Sequence, residues 1–328
     1  MPYWEIVTRS FKIAWRFKYL WLMALFSGEG GASFNYNQST SQPLTGKNGQ
    51  PPDFAAIYQP YVDWWNSHLT LIVVAAVLLV LLWIAFFILA AVCEGATVRA
   101  SAEHDAERPF GLGIAWRCGV ATMGTIIRLR LLLIALGLPV VIVIGLAVFG
   151  FVLALLSKNN GAAAGLGLLV ALAFLAAIPY VIYLFFLDRL GTRAVVLEQI
   201  AAARSALRRG HRLVRKRLGR VLLVLLMGIG VGIVVGIAIA IAGAIVILPL
   251  VIAGAAAYAS GSAAFAVVVV IGVIIVVPIL LLVSGFLAAQ SSTYWTLAFR
   301  RLDIDQAPPN AYPYGYPQAS PAPPTPSA

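Results

Sequence analysis

The chain has 328 residues, of which 61% are hydrophobic and only 11% are charged, and its formal net charge is +11. Soluble domains carry roughly 25% charged residues, so this composition excludes an ordinary soluble protein and indicates helices that face lipid. A cationic excess suits a membrane surface or nucleic acid. Because no aromatic-interleaved basic platform or finger motif is present, we predict that the protein binds no nucleic acid.

The first segment, residues 2–18, has helical periodicity with one aromatic and one cationic face. Trp4 and Trp15 lie on the first face, and Arg9 and Arg16 lie on the second. The apolar stretch that follows is too short to cross a bilayer alone, since a crossing needs about 20 residues. We predict either one tilted helix through both stretches or a re-entrant or interfacial segment.

A polar connection follows at residues 28–68, rich in Gly, Ser, Asn, Gln and Pro. Its last aromatic residues are Tyr58, Tyr61, Trp64 and Trp65. Aromatic residues directly before an apolar block predict an interfacial belt. The alternative is an aromatic platform for a sugar or another ligand.

Five uncharged apolar blocks are long enough to cross a bilayer. They cover residues 69–92, 131–156, 165–187, 221–256 and 263–289. A charge at the bilayer centre costs on the order of 2.5 kcal/mol or more and is kept for function. Its absence argues against a proton- or sodium-coupled transporter. Four blocks contain a proline, Pro139, Pro179, Pro249 or Pro278, which predicts static bends or, alternatively, hinges.

A short motif indicates a threefold internal repeat. Ile13-Ala-Trp-Arg16 recurs as Ile114-Ala-Trp-Arg117, and Ser205-Ala-Leu-Arg208 is a looser copy. The order of elements is shared, since a basic helix precedes an apolar pair each time. We therefore predict an all-α polytopic membrane protein with about six transmembrane helices as three hairpins, each preceded by a basic amphipathic cytoplasmic helix. The units cover about residues 1–93, 94–188 and 189–301 of one membrane domain.

The distribution of cations predicts the orientation. With six crossings and the N terminus inside, 21 of the 23 Lys and Arg residues are cytoplasmic, all except Lys47 and Lys158. The positive-inside rule favours this arrangement, so we predict a bacterial cytoplasmic (inner) membrane protein with both termini cytoplasmic. Residues 302–328 are rich in Pro, Ala and Tyr and are predicted to be a disordered cytoplasmic tail that binds a protein partner.

The densest cationic run lies between residues 204 and 220. Its candidate headgroup contacts are Arg204, Arg208, Arg209, Arg212, Arg215, Lys216, Arg217 and Arg220. Helical spacing places Leu207, Val214, Leu218 and Val221 on one apolar face, with Leu213 outside it. Each cation near an anionic leaflet contributes about 1 kcal/mol. We predict that this run binds the anionic headgroups of membrane lipids at the cytoplasmic face; the alternative is that it only fixes the topology.

The crossing that follows this run carries small residues at four-residue spacing. They are Gly228, Gly232, Gly236, Ala240 and Ala244. Such a stripe lets another backbone approach closely, so we predict a helix-packing face; the alternative is a glycine-lined conduction path.

Catalytic signals are weak. The only cluster with ligand chemistry, Glu103-His104-Asp105-Ala-Glu107, lacks the spacing of a zinc motif and is predicted to be a solvated loop or a helix cap. Neither a P-loop nor a nucleophile elbow is present. We predict no catalytic, metal or cofactor site and no enzyme activity.

Two stretches resemble a known group of proteins. They are Ala206-Leu-Arg-Arg-Gly-His-Arg-Leu213, leading into a crossing, and Tyr294-Trp-Thr-Leu-Ala-Phe-Arg-Arg301. The first is similar to the run of uncharacterised bacterial multi-pass membrane proteins related to the glycerophosphoryl diester phosphodiesterase membrane domain, with Gly210 and His211 in place of the usual Ser-Trp. The resemblance covers about residues 100–300. It implies membrane residence and not phosphodiesterase activity.

Together these patterns predict a non-enzymatic membrane scaffold that organises lipid or a protein partner. The alternative is a transporter or permease component for an uncharged or amphiphilic substrate.

Overall fold

The computed structural model describes residues 3–28, 54–157, 160–259 and 264–304, and every regular element in these ranges is an α-helix. In chain order the helices are α1 (Tyr3–Arg16), α2 (Tyr19–Phe26), α3 (Phe54–Ser67), α4 (Leu69–Asp105), α5 (Leu112–Leu156), α6 (Asn160–Leu197), α7 (Ala203–Lys216), α8 (Leu218–Ala259) and α9 (Ala264–Ile304). Five helices in the described ranges, α4, α5, α6, α8 and α9, are long and apolar enough to cross a membrane. The predicted all-α polytopic architecture is confirmed.

The N-terminal segment consists of two helices instead of the single tilted helix that was one expectation. The helix breaks at Phe17 and Lys18, between α1 and α2. Helix α2 has eight residues, or about 12 Å at 1.5 Å per residue, whereas the hydrocarbon core is about 30 Å thick. Helix α2 alone is therefore too short to cross, and the described residues do not confirm the predicted count of six.

Helix α3 was not predicted and forms the end of the polar connection. Trp64 and Trp65 are both more than half exposed on it, which leaves them free for the interfacial contact that their position before α4 predicts. Residues 29–53 of the same connection lie outside the described residues.

The buried core lies at the C-terminal ends of three long helices. All residues of α4 from Ala91 to His104 are buried, and burial begins where the apolar run of that helix ends. Burial begins at the corresponding place in α6, at Phe186, and in α9, near Ala288. We call this layer the base: residues 91–105, 186–197 and 288–302, together with the segments packed on them. The apolar remainders of the five long helices are largely exposed, and we call them the arms.

Within the base, each basic segment packs on the end of a different long helix. Helices α1 and α2 pack against α9, α5 packs against α4, and α7 packs against α6. Glycine permits two of these approaches: a Cβ atom on Gly119 would collide with the Val92 carbonyl oxygen, and one on Gly210 would lie 3.4 Å from the Gly191 nitrogen. The three repeat units remain a prediction. The packing agrees with them in that each predicted unit contributes one basic segment to the base.

The joints between basic segment and arm differ. Helix α5 continues unbroken into its arm, whereas α7 ends at Lys216 and Arg217 departs from helical geometry with φ −135° and ψ 35°. At the C terminus, α9 extends to Ile304 and therefore includes the first three residues of the predicted tail. Residues 305–328 lie outside the described residues.

Candidate functional site

The base buries a carboxylate between two arginines. Glu94 of α4 is 1% exposed and pairs with Arg130 of α5, while the fully buried Arg193 of α6 lies 3.9 Å from its other oxygen. Arg130 also donates a hydrogen bond of 3.2 Å to the carbonyl oxygen of Ser27, just past α2. Because buried charges are stable only when paired and hydrogen-bonded, this cluster fixes four helices relative to one another.

A second buried carboxylate lies about two and a half turns further along α4. Glu103 forms an ion pair with Arg99 at 2.9 Å and lies 3.5 Å from the guanidinium of Arg108. Glu103 and His104 are 4% and 8% exposed. The expectation of a solvated loop or cap is therefore wrong for these two residues, because α4 continues to Asp105 and is covered by α1 and α9.

The third carboxylate, Asp105, contacts both α1 and the end of α9. Asp105 lies 2.6 Å from the Arg9 guanidinium of α1 and 2.5 Å from the Arg300 guanidinium of α9. The Asp105 carbonyl oxygen also accepts a hydrogen bond from Arg9 at 2.6 Å. Helix α1 and the end of α9 therefore lie on the same side of the helix bundle.

An aromatic group packs beside this carboxylate. The His104 ring stacks on Phe17 with a centroid distance of 3.5 Å, and the Tyr19 hydroxyl lies 2.6 Å from His104 Nε2. A tyrosine phenol is protonated at neutral pH and can donate to the imidazole; burial raises the pKa of Tyr19 further, to about 12.

A cavity of about 800 Å³ opens between α1, the end of α4 and the turn after it. Its cations are Arg9, Lys12, Arg16 and Arg108, its carboxylates are Glu5 and Glu107, and its aromatic side chains are Phe17, His104 and Phe110. In the described part of the chain, no three His, Cys, Asp or Glu side chains are placed to hold a metal ion.

Helix α7 presents most of the predicted headgroup contacts to solvent. The exposed ones on α7 are Arg204, Arg208, Arg212, Arg215 and Lys216, and Arg220 at the start of α8 is exposed as well. Arg209 and Arg217 are partly buried, and Arg209 Nε lies 3.0 Å from a Glu198 carboxylate oxygen. The first four exposed arginines recur at helical spacing and form one continuous stripe.

The buried face of α7 differs from the predicted one. Ala206, Gly210, Leu213 and Val214 are buried, whereas Leu218 is 54% exposed. The break at Arg217 ends the helix, so the helical spacing that linked Val214 to Leu218 does not apply across it.

The sequence matches a family model over residues 7–299, the family of unknown function DUF7544. The chain belongs to DUF7544. This match covers nearly the whole chain and shows no link to the glycerophosphoryl diester phosphodiesterase membrane domain that the motifs resemble. Neither a curated protein nor a solved structure matches this DUF7544 chain.

The small-residue stripe of this DUF7544 member lies partly against α9 and partly on open surface. Gly228 approaches the Tyr294 ring, whereas a Cβ atom on Gly232 or Gly236 would meet nothing within 4 Å. These three glycines line a cavity of about 370 Å³ between α6, α8 and α9. Ala240 and Ala244 are exposed. The helix-packing role of the stripe stays a prediction.

Sequence reasoning missed the residues that assemble the base of this DUF7544 member. Glu94, Arg130 and Arg193 lie in three separate segments, and their spacing carries no motif. The sequence indicates them only by their position, because Glu94 and Arg130 adjoin the ends of apolar blocks. Charged residues at the ends of such blocks lie at a similar depth in the membrane and can therefore meet.

Proposed function

We propose that this protein is a non-enzymatic scaffold of a bacterial cytoplasmic membrane that binds anionic lipid headgroups through the exposed arginine stripe of α7. The observation that supports it is the division of that helix: Ala206, Gly210 and Leu213 pack into the base, and the stripe faces outward. The stripe ends beside the arm of α8, which begins at Leu218. Headgroup phosphates lie at such a boundary, where each cation contributes about 1 kcal/mol.

The orientation in this proposal has both termini cytoplasmic. The contact of Arg9 and Arg300 with Asp105 places the N-terminal cations on the same side as the cations of α9, which supports the cytoplasmic assignment under the positive-inside rule. In the proposal, a protein partner binds the C-terminal tail on this side.

The test compares lipid retention by two charge-matched variants of the full chain. Native mass spectrometry after mild detergent extraction should show that Arg208→Gln/Arg212→Gln loses anionic phospholipid, while Arg117→Gln/Arg128→Gln, which removes two exposed cations from α5, retains it. Arg209 is left unchanged because it pairs with Glu198. Equal retention in all three proteins would refute lipid binding by α7.

The permease alternative has a separate readout. Proteoliposomes containing the protein and a fluorescent phospholipid analogue should show the same transfer between leaflets as empty vesicles. Protein-dependent transfer would replace the scaffold proposal with a transport function.

A further inference from the structure

We propose that the cavity between α1 and the end of α4 is a second anion-binding site, which takes a phosphate ester. The ligand chemistry has two sources, a phospholipid headgroup and a soluble organic phosphate. The site is separate from the α7 stripe, because it is built on α1, α4 and the α4–α5 turn, whereas α7 packs on α6.

The cavity wall holds cations that the fold leaves available. Lys12 and Arg16 are exposed, and neither makes an ion pair with any other residue of the described ranges. The side chain of Arg108 is 45% exposed, and the one carboxylate that it contacts among the described residues, Glu103, lies 3.5 Å away. These donors line one cavity and suit a phosphate, which charge-assisted hydrogen bonds from several cations stabilise.

Two of the four acidic groups around the cavity, Glu103 and Asp105, are neutralised by arginines. Each of these two is shared by two arginines. The negative end of the α4 dipole is also capped, because the carbonyl oxygens of Ala102 and Asp105 accept hydrogen bonds from Arg300 and Arg9. Two carboxylates, Glu5 and Glu107, remain on the lining.

The size and lining of the cavity fit an organic phosphate. A volume of about 800 Å³ lies within the roughly 300–1,000 Å³ of small-molecule sites. The stacked rings of Phe17 and His104, together with the 7% exposed Phe110, provide an apolar surface beside the cations. The site therefore combines contacts for a phosphate with contacts for the carbon skeleton that carries it.

The lysines give a site-specific measurement on the intact protein. An amine-acylating reagent is applied to the protein in nanodiscs, and mass spectrometry compares Lys12 with the exposed Lys18, which does not line the cavity. One arm adds phenyl phosphate, a soluble phosphate ester, to phosphatidylcholine nanodiscs; the other adds phosphatidic acid to the lipid. Selective protection of Lys12 in either arm supports the site and identifies the source. Protection of neither lysine, or equal protection of both, overturns it.

Variants separate this site from the α7 function. Arg16→Gln, which breaks no ion pair within the described ranges, should raise the ligand concentration needed for half-protection of Lys12 by at least about tenfold, and Glu107→Gln should lower it. Lys18→Gln and Arg208→Gln/Arg212→Gln should leave the protection unchanged. Wild-type protection in both Arg16→Gln and Arg108→Gln overturns the site, while loss of lipid from the α7 variant with intact protection of Lys12 leaves it standing.

Discussion

The base and the arms of this protein are built for different surroundings. In the base, charged residues such as Glu94 and Arg193 are almost fully buried and each interacts with charged partners. In the arms, large apolar side chains such as Leu79 and Leu226 are 66% and 70% exposed. Lipid chains solvate an apolar side chain as well as a neighbouring helix does, but a buried charge needs one particular partner. The contacts that select this particular fold therefore lie in the base.

The largest expected effect comes from removing Glu94, the most buried carboxylate described in the base. Glu94→Ala leaves the guanidiniums of Arg130 and Arg193 without this counter-charge, and removing one partner of a buried pair costs about 3–5 kcal/mol. Denaturant titration in detergent should show this loss in the free energy of unfolding. The exposed-surface control Arg128→Ala should stay within about 0.5 kcal/mol of wild type. A similar change in both variants would contradict the stabilising role of the buried cluster of Glu94, Arg130 and Arg193.

The second test compares the two regions with one type of substitution. Leu129, fully buried in the base, and Leu79, in the arm of α4, are each changed to Ala. Leu129→Ala should cost about 2–5 kcal/mol, because a cavity forms in a packed layer. Leu79→Ala should change the free energy of unfolding by less than about 0.5 kcal/mol. A large loss from Leu79→Ala in native membranes would show that a protein, not lipid, covers the arms.

The third test sharpens the comparison within α5. Gly119→Ala places a Cβ atom against the Val92 carbonyl oxygen of α4, and such overpacking costs about 1–3 kcal/mol. Gly124→Ala, on the same helix, meets nothing within 4 Å and should stabilise by about 0.5–1 kcal/mol, since glycine is a poor helix former. Thermal melts of both variants give the signs, and stabilisation by Gly119→Ala would contradict the close contact of α4 and α5.

The smallest expected effect concerns Tyr19. Tyr19→Phe removes the hydroxyl that lies 2.6 Å from His104 Nε2 and should cost about 1 kcal/mol at neutral pH. The pKa of Tyr19 is raised to about 12 from the model-peptide value of 10.0, so wild-type stability should fall as the pH rises from 10 towards 12, because the unfolded chain releases the proton first. The melting temperature of Tyr19→Phe should fall less than that of the wild type over this pH range. If the two proteins lose stability in parallel, the phenol of Tyr19 is not buried as described.

The sequence predicted the arms well and the base poorly. An uncharged block such as residues 69–92 requires a helix of bilayer length on composition alone. The break at Phe17 and Lys18 involves neither glycine nor proline, so no local signal indicated it. Helix α3 was missed because residues 54–67 lie at the end of a polar, proline-containing connection.

The candidate site was predicted only where one helix contains it. The arginines of α7 could be found from their spacing, although the break at Arg217 changed which face is buried. The cation cavity joins α1 to residues about a hundred positions later, and no periodicity connects those segments. Glu103 and His104 were expected in solvent because their covering helices come from both ends of the chain.

The contacts between α1 and α9 also determine when the protein can finish assembling. Ser10 of α1 accepts a hydrogen bond from Gln290 of α9, and the two residues are 280 positions apart. At about 5–20 residues per second of translation, the first helix waits roughly 15–55 s before its partner leaves the ribosome. Until then the apolar side of α1 cannot pack into the base. It must therefore be buried in lipid or bound by an insertion factor while the chain is still being made.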